Sequence, residues 1–437
     1  MKGKFSVALS FLALIAIGAF ALAMPPCRAD GAWGDATSSI FTACSAVCVT
    51  GLSVVDIAAE FSRTGQIAIL ILVELGCLGL MMCGTFLMIA IGRRLSLSSE
   101  FSLMNAYGVE QVKGIKALIV WVVGSTLAFE ALGAAALYWR IHDLYLAIFY
   151  SIMGFCNAGF SILPGSLASF AGDAFVIVTM GIETILGSIG FLVLFNLLTF
   201  KFIRRSSGGR GRLSLQSRVV LRFTAYLLAV AFAGFVLLEW NGALAGMDTA
   251  DKFTAAFYQA VTPRTCGFCI VPTESLKPLT RLMYEVLMFI GGAPGSAAAG
   301  IKVTTFAVLV YTVSALCRGD HETIISKRVV PIDVVRESIV IFVALSVLVT
   351  LTMGILLFTE DGRGIATDAL FFEVCSAITT TGLSMGDTTT SLSLPGKICI
   401  MAAMFAGRLG ALSVVMMIGN RETQRHIRFP AEELVVG

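Results

Sequence analysis

The stretch TACSAVCVTGLS, residues 42–53, is uncharged, rich in small side chains and closed by a glycine turn. It stands between two long apolar runs. One such turn decides little, but this one recurs: CNAGFS (156–161), RTCGFC (264–269) and TTTGLS (379–384) have the same form. The central glycines, Gly51, Gly159, Gly267 and Gly382, lie 108, 108 and 115 residues apart. Ten positions before each stands a phenylalanine: Phe41, Phe149, Phe257 and Phe372. Twenty-eight positions after each stands another glycine: Gly79, Gly187, Gly295 and Gly410. Agreement at several offsets in four copies means internal repetition, which has to be recognised before any fold is assigned.

Composition sets the environment of those repeats. Of 437 residues, 57% are hydrophobic and 14% charged, and the mean hydropathy is +0.89. A soluble domain carries about 25% charged residues. Crossing a bilayer takes a helix of roughly 20 apolar residues, and residues 7–24, 117–138, 219–238, 339–358 and 398–418 each supply such a run. Residues 1–30 also have a signal-peptide pattern: Lys2 and Lys4, an apolar core, then ALAM. Removing them would strip the first repeat of its first span, so we read them as a span.

Each repeat then consists of a long apolar span, a short segment of about a dozen residues, the glycine turn, a polar stretch and a second span. The short segments cannot reach across a bilayer and read as re-entrant pore helices. The expected fold is an all-α integral membrane protein of four pseudo-fourfold span–pore-loop–span repeats, with eight transmembrane helices and four re-entrant helices. The repeats cover residues 1–92, 93–203, 204–317 and 318–419, and a cytoplasmic tail follows at 420–437. Twenty of the 31 Lys and Arg residues lie at the N-terminus, between repeats or in the tail, and nine lie on the opposite face. The positive-inside rule puts both termini in the cytoplasm, so the pore loops enter from outside. That outer face carries Asp30, Asp35, Asp143, Asp173, Asp248, Asp251, Asp361, Asp368 and Asp387. These can gather cations at a mouth or serve as ordinary solvated loop residues.

Non-helical backbone inside a membrane persists only where protein buries it or water reaches it. Glycine takes φ > 0 without steric penalty, so a peptide carbonyl can turn toward a common axis. A ring of carbonyls can replace the water around a cation. No acid or base lies within CVTG, CNAG or TTTG, which suits a weakly hydrated monovalent cation. Tight helix packing is the alternative use of such glycines.

At this point the chain resembles the Trk/Ktr/HKT superfamily of potassium transporters, and within it the KtrB-like membrane subunits. The resemblance rests on SAVCVTGL, FCNAGFS, LEWN, TPRTCGF, GGAPGSAAAGIK, SAITTTGLS and GRLGALSVV. The ending IRFPAEELVVG fits as well. It implies potassium uptake rather than an enzyme, K+ as substrate, with Na+ as a coupling or activating ion left open. It also implies a homodimer in the bacterial plasma membrane and a cytoplasmic KtrA-like nucleotide-binding ring, with nucleotide on that partner only. No nucleic-acid partner or covalent cofactor is expected. The filter positions are Thr50, Gly51, Ala158, Gly159, Cys266, Gly267, Thr381 and Gly382, with Cys266 standing where alanine is usual in the family. Asn157, Arg264 and Glu373 are expected to support the filter, Arg264 by pairing with an acid such as Glu373.

The run FIGGAPGSAAAGIK interrupts the second span of repeat three. Gly291, Gly292, Pro294, Gly295, Ser296 and Gly300 break a helix through missing donors and backbone freedom. A phosphate-binding loop would need a preceding strand and GK followed by Ser or Thr, and here Ile301 intervenes. By resemblance, the segment from Gly291 to Lys302 is an intramembrane gate loop, expected to be weakly held. Arg408 lies at the corresponding depth of repeat four, and an ionisable residue inside a span is a functional candidate by default. Its bland alternative is a structural pair with a carboxylate. CGFC (266–269) matches a redox CxxC but lacks a βαβ setting, which leaves a membrane thiol oxidoreductase as the remote alternative. A less selective sodium/potassium path is the nearer one.

Overall fold

The computed structural model describes residues 2–79, 115–206 and 213–410. The repeat limits at 92 and 419 and the tail at 420–437 fall outside those residues. Four long helices open the repeats: Lys2–Ala23, Ile115–Ile141, Leu215–Glu239 and Ile332–Thr359. Ile119–Ile141, Leu215–Glu239 and Ile332–Thr359 are long and apolar enough to cross a bilayer. They leave Leu132, Leu237 and Phe358 exposed, as lipid-facing helices do. Lys2–Ala23 packs on the pore helix and second helix of its own repeat and buries Leu22 completely.

The four short helices are Ala36–Val47, Leu144–Cys156, Thr249–Val261 and Thr367–Ile378. Their 12 or 13 residues rise about 18–20 Å at ~1.5 Å per residue, short of the roughly 30 Å hydrocarbon core. Sequence places acids at their starts, and the chemistry is helix capping. Asp35 accepts from the Ser38 N–H, and Asp143 from the N–H groups of Tyr145 and Leu146. Asp173 likewise caps the next helix and pairs with Arg140. These three aspartates therefore hold helix ends together, which limits what they add to a mouth potential. A two-residue hairpin, Ile324–Ile325 against Arg328–Val329, lies between repeats three and four.

The second spans of repeats one, two and four are not the continuous helices the sequence led us to expect, whereas that of repeat three is interrupted as expected. Arg63–Leu78, Ala174–Ile189 and Leu394–Leu409 each stop after 16 residues. They end at Gly79, Gly190 and Gly410, with φ of 80°, 92° and 83°. In repeat two the chain then bends by 101° into Phe191–Ser206. In repeat three, Pro278–Phe289 ends earlier, and helix resumes only at Val303–Cys317. The glycine at offset +28 in repeat two, Gly187, is not the break. The N-cap of the second helix stands 11 residues after the turn glycine in repeats one and four (Ser62 and Ser393), but 14 after it in repeat two (Asp173). The three extra loop residues move the break to Gly190.

Gly187 matches Gly76 and Gly407 instead, each two residues before its helix ends. A Cβ there would lie 2.1 Å from Val47 O at Gly76, 1.9 Å from Phe155 O at Gly187 and 1.9 Å from Ile378 O at Gly407. Those carbonyls stand four residues before the turn glycines, so this second glycine set lets the second helices pack tightly on the pore helices.

Between repeats the packing is cyclic. The second helix of each repeat lies on the pore helix of the next, and repeat four closes on repeat one. Polar links cross each seam, among them Tyr145 Oη donating to Gln66 Oε1 (2.6 Å), Thr184 Oγ1 meeting Cys266 Sγ (3.2 Å), Arg281 pairing with Asp368 (3.2 Å), and Cys44 Sγ donating to Met401 O (3.6 Å). Gly187→Ala and Gly407→Ala should each cost at least about 1–3 kcal/mol through overpacking and lower the thermal-unfolding midpoint in detergent. Gly124→Ala, where no described atom outside its own helix lies within 4 Å, should keep or raise the midpoint. Equal midpoints in all three would contradict this packing.

Candidate ion path

All four turn glycines have positive φ: 93° at Gly51, 67° at Gly159, 83° at Gly267 and 86° at Gly382. They meet one another. A Cβ on Gly51 would stand 2.1 Å from Ala158 O, on Gly159 2.8 Å from Cys266 O, on Gly267 2.5 Å from Thr381 O and on Gly382 2.0 Å from Thr50 O. Each glycine thus touches the carbonyl that precedes the glycine of the next repeat, and the fourth contact returns to the first. The eight positions Thr50, Gly51, Ala158, Gly159, Cys266, Gly267, Thr381 and Gly382 form one closed ring of backbone. All four pore helices end at this ring, each presenting the negative end of its dipole.

A second feature of the ring has no glycine to announce it. Two positions before each glycine, Val49, Asn157, Thr265 and Thr380 also have positive φ, between 50° and 74°. For residues other than glycine this conformation costs about 1–2 kcal/mol, and for β-branched residues such as Val49, Thr265 and Thr380 it is rare. The same strain in four repeats is held by neighbouring bonds. In repeats one and four, the Gly51 and Gly382 N–H groups donate to Ser45 Oγ and Ser376 Oγ, each at 3.1 Å. Thr50 N and Thr381 N donate to Ser45 O and Ser376 O, each at 2.8 Å. Ser45 and Ser376 share the offset −6, a signal present in the repeat alignment but carrying no obvious chemistry of its own.

Repeats two and three are braced by other means. With its amide nitrogen facing carbonyls, Asn157 donates to Gly154 O (2.9 Å) and Thr184 O (3.2 Å). The Cys266 side chain is fully buried between Thr184 and Tyr258, and Thr262 donates to Phe268 O. Cys269, half-buried, is also a free thiol. A redox nucleophile has to be reached by its substrate, and the enclosed Cys266 lends the thiol-oxidoreductase reading no support.

Arg264 does not pair with Glu373. Its Nη2 donates to Gly291 O at 3.2 Å, and its side chain is buried. Glu373 instead accepts from Ser384 (2.9 Å) and Thr389, bracing the chain just after Gly382. The two belong to successive repeats, Arg264 to the turn after one pore helix and Glu373 to the next pore helix, and each finds partners in its own repeat. Arg264 satisfies a carbonyl freed where the repeat-three helix breaks.

The segment from Gly291 to Lys302 also departs from expectation, because it is well held. Gly291 N donates to Ile301 O (2.9 Å), Ile301 N to Phe289 O (3.1 Å) and Val303 N to Gly292 O (3.0 Å). Ala293 N and Ala297 N donate to Ser188 O and Gly187 O, and Phe191 N donates to Gly295 O. The Ser296 hydroxyl and Lys302 ammonium donate to Ala293 O and Ala298 O. Ala293, Ala297, Ala298 and Ile301 are buried, while Gly295 and Gly300 supply φ of 70°. Tertiary bonds to the repeat-two helix end replace the missing helical ones. Arg408 reaches the same segment: its Nη1 donates to Ala297 O, and its Nη2 donates to Gly76 O (2.6 Å) and Cys77 O (3.4 Å). Among the described residues it has no carboxylate partner. It ties the loop of repeat three to the broken helix of repeat one.

Ser45→Ala and Ser376→Ala each leave a buried glycine N–H without its side-chain acceptor, a loss of about 1–3 kcal/mol. Both variants should unfold at lower temperature in detergent than the parent, and the double variant lower still. An unchanged midpoint in the double variant would show that the hydroxyls do not hold the ring.

Comparison with known proteins follows this geometry. The TrkH family, described as cation transport protein, matches residues 2–424. The Ktr system potassium uptake protein B of Bacillus subtilis (strain 168) is 33% identical over 441 residues, covering 99% of this chain and 96% of that protein. The potassium/sodium uptake protein NtpJ of Enterococcus hirae is 29% identical, again over 99% of this chain and 96% of that protein. Among solved structures, the potassium transporter TrkH from Vibrio parahaemolyticus superposes with a TM-score of 0.76 at 18% identity, covering 95% of this chain and 84% of that one. Four cyclic span–pore-loop–span repeats and a match along almost the whole length lead to one conclusion: the chain belongs to the TrkH family of cation transport proteins.

Proposed function

We propose that the chain is the potassium-translocating membrane subunit of a Ktr-type uptake system. The observation that carries this reading is the closed ring of four positive-φ glycines, each against the carbonyl preceding the next. Such a ring offers neutral oxygens to a dehydrated monovalent ion. Thr50, Ala158, Cys266 and Thr381 would supply the carbonyls, and Asn157, Arg264 and Glu373 would brace them. The segment from Gly291 to Lys302 would close the path below, with Arg408 as latch and electrostatic barrier. The naming of relatives as components of a Ktr system supports a partner subunit; by the family resemblance that partner would be a cytoplasmic nucleotide-binding ring and the chain a homodimer in the bacterial plasma membrane, and the distribution of Lys and Arg would put both termini inside. The tail at 420–437, where a dimer or regulator contact is expected, lies outside the described residues.

A less selective sodium/potassium path is the second reading, favoured by the potassium/sodium name of the Enterococcus relative and by the single ring of four carbonyls. Uptake by cells lacking their own potassium systems separates the two. The parent should support growth at low K+ and discriminate against Na+. Gly159→Ser, which adds a Cβ at φ 67° and 2.8 Å from Cys266 O, should lower affinity or selectivity by tenfold or more, the equivalent of about 1.4 kcal/mol. Unchanged affinity and selectivity in serine variants of all four glycines would refute the ring as filter.

The latch has its own test. Arg408→Ala removes the bonds to Ala297 O, Gly76 O and Cys77 O together with a cation on the path. Flux per inserted molecule in proteoliposomes without any partner subunit should rise severalfold. Normal insertion with no faster flux would mean that Arg408 is structural.

A further inference from the structure

A buried group of acids and thiols lies at the seam between repeats one and two, outside the ring. It comprises Glu74 from the second helix of repeat one, Glu130 from the first helix of repeat two and Cys156, the last residue of the repeat-two pore helix. One ligand atom from each lies within 4.8 Å of the others. Cys156 is fully buried and Glu130 is 6% exposed. Cys77, also buried, sits beside Cys156 one helical turn after Glu74. Glu74 Oε1 is sealed from solvent and has no hydrogen-bond partner.

Charge balance makes this arrangement informative. Two carboxylates face each other inside the protein, and among the described residues no Lys, Arg or His forms an ion pair with either. An uncompensated buried charge is costly, so the group requires a cation or a shared proton. The distances admit a cation. Cys156 Sγ lies 3.2 Å from Glu74 Oε2 and 3.7 Å from Glu130 Oε1. In a tetrahedral site with metal–sulfur near 2.3 Å and metal–oxygen near 2.0–2.2 Å, the sulfur–oxygen edge is about 3.5 Å. Glu74, Glu130 and Cys156 provide two oxygens and one sulfur, with the Cys77 thiol beside Cys156, a donor set suited to a borderline-soft divalent ion rather than to K+.

We infer that Glu74, Glu130 and Cys156, with Cys77 alongside, form a site for a thiophilic divalent cation of the Zn2+ class. Occupancy would fasten the repeat-one helix that carries Arg408's acceptors to the pore helix that leads into the turn at Gly159. Binding would release the thiol protons and lock the seam. The inference rests on this cluster alone, not on the transport reading.

Titration of the purified full-length protein with Co2+, followed by Zn2+ competition, tests it without measuring transport. The parent should bind one Co2+ per chain with the intense d–d absorption of tetrahedral geometry and a thiolate-to-metal charge-transfer band, and Zn2+ should abolish both. Glu130→Gln and Cys156→Ser should each weaken binding by tenfold or more, whereas Cys44→Ser should not. Should either variant fold poorly, Glu74→Gln in its place should show the same loss. No thiolate band in the parent, or a band kept in both Glu130→Gln and Cys156→Ser, overturns the site. So does a protonated-carboxyl infrared band in the parent that persists at saturating Zn2+ and is lost in Glu130→Gln, because the pair would then share a proton instead.

Discussion

Four glycines touching four carbonyls in cyclic order are the constraint on which the rest of the molecule depends. Each contact leaves no room for a Cβ, and each belongs to a different repeat, so the ring closes only when all four repeats are seated together. The surrounding packing obeys the same cycle. Second helices rest on the pore helices of the following repeat, and polar links cross each seam. A second glycine set, at Gly76, Gly187 and Gly407, lets those helices approach the pore-helix carbonyls within the reach of an absent methyl group. The repetition seen in sequence is therefore a physical requirement for building a closed ring from one chain.

Below the ring the chain gives up helical hydrogen bonds at comparable places in every repeat. The four repeats spend that freedom differently. Repeat two turns sharply at Gly190, and repeat three unwinds for the length of a loop. Unwound backbone in a membrane must find partners, and here the partners are other broken ends. The repeat-three loop bonds to Ser188, Gly187 and Phe191 of repeat two, and Arg408 gathers carbonyls from repeats three and one. One guanidinium, with five donors in a fixed fork, thereby joins three repeats. A loop held this way is a two-position element only if its bonds can be exchanged as a set, which gives the latch reading of Arg408 its physical content.

Much of this was legible before any coordinates. The offsets of Phe41, Gly51 and their counterparts gave the repeats, and their lengths distinguished pore helices from spans. The eight positions that meet in the ring followed from the same alignment. What stayed hidden depended on three-dimensional partners. Gly187 sits at the expected offset, yet three inserted loop residues move the break to Gly190. Arg264 and Glu373 have opposite charges and neighbouring repeats, which made a pair plausible. Only their placement reveals that one serves a broken helix and the other a turn. The positive φ at Val49 and Thr380 runs against the propensity of both residues, so no local pattern could have shown it. The acids at 35, 143 and 173 look like a mouth potential in sequence and act as helix caps in the fold.

The central claim is that the carbonyls of Thr50, Ala158, Cys266 and Thr381 enclose a monovalent cation. Crystals of the protein grown with Tl+ in place of K+, measured at a wavelength where thallium scatters anomalously, test it most directly. The account predicts an anomalous peak on the axis, enclosed by those four carbonyls and weakened in Gly159→Ser. Thallium bound only elsewhere, with the ring free of anomalous density in well-ordered crystals, would contradict it.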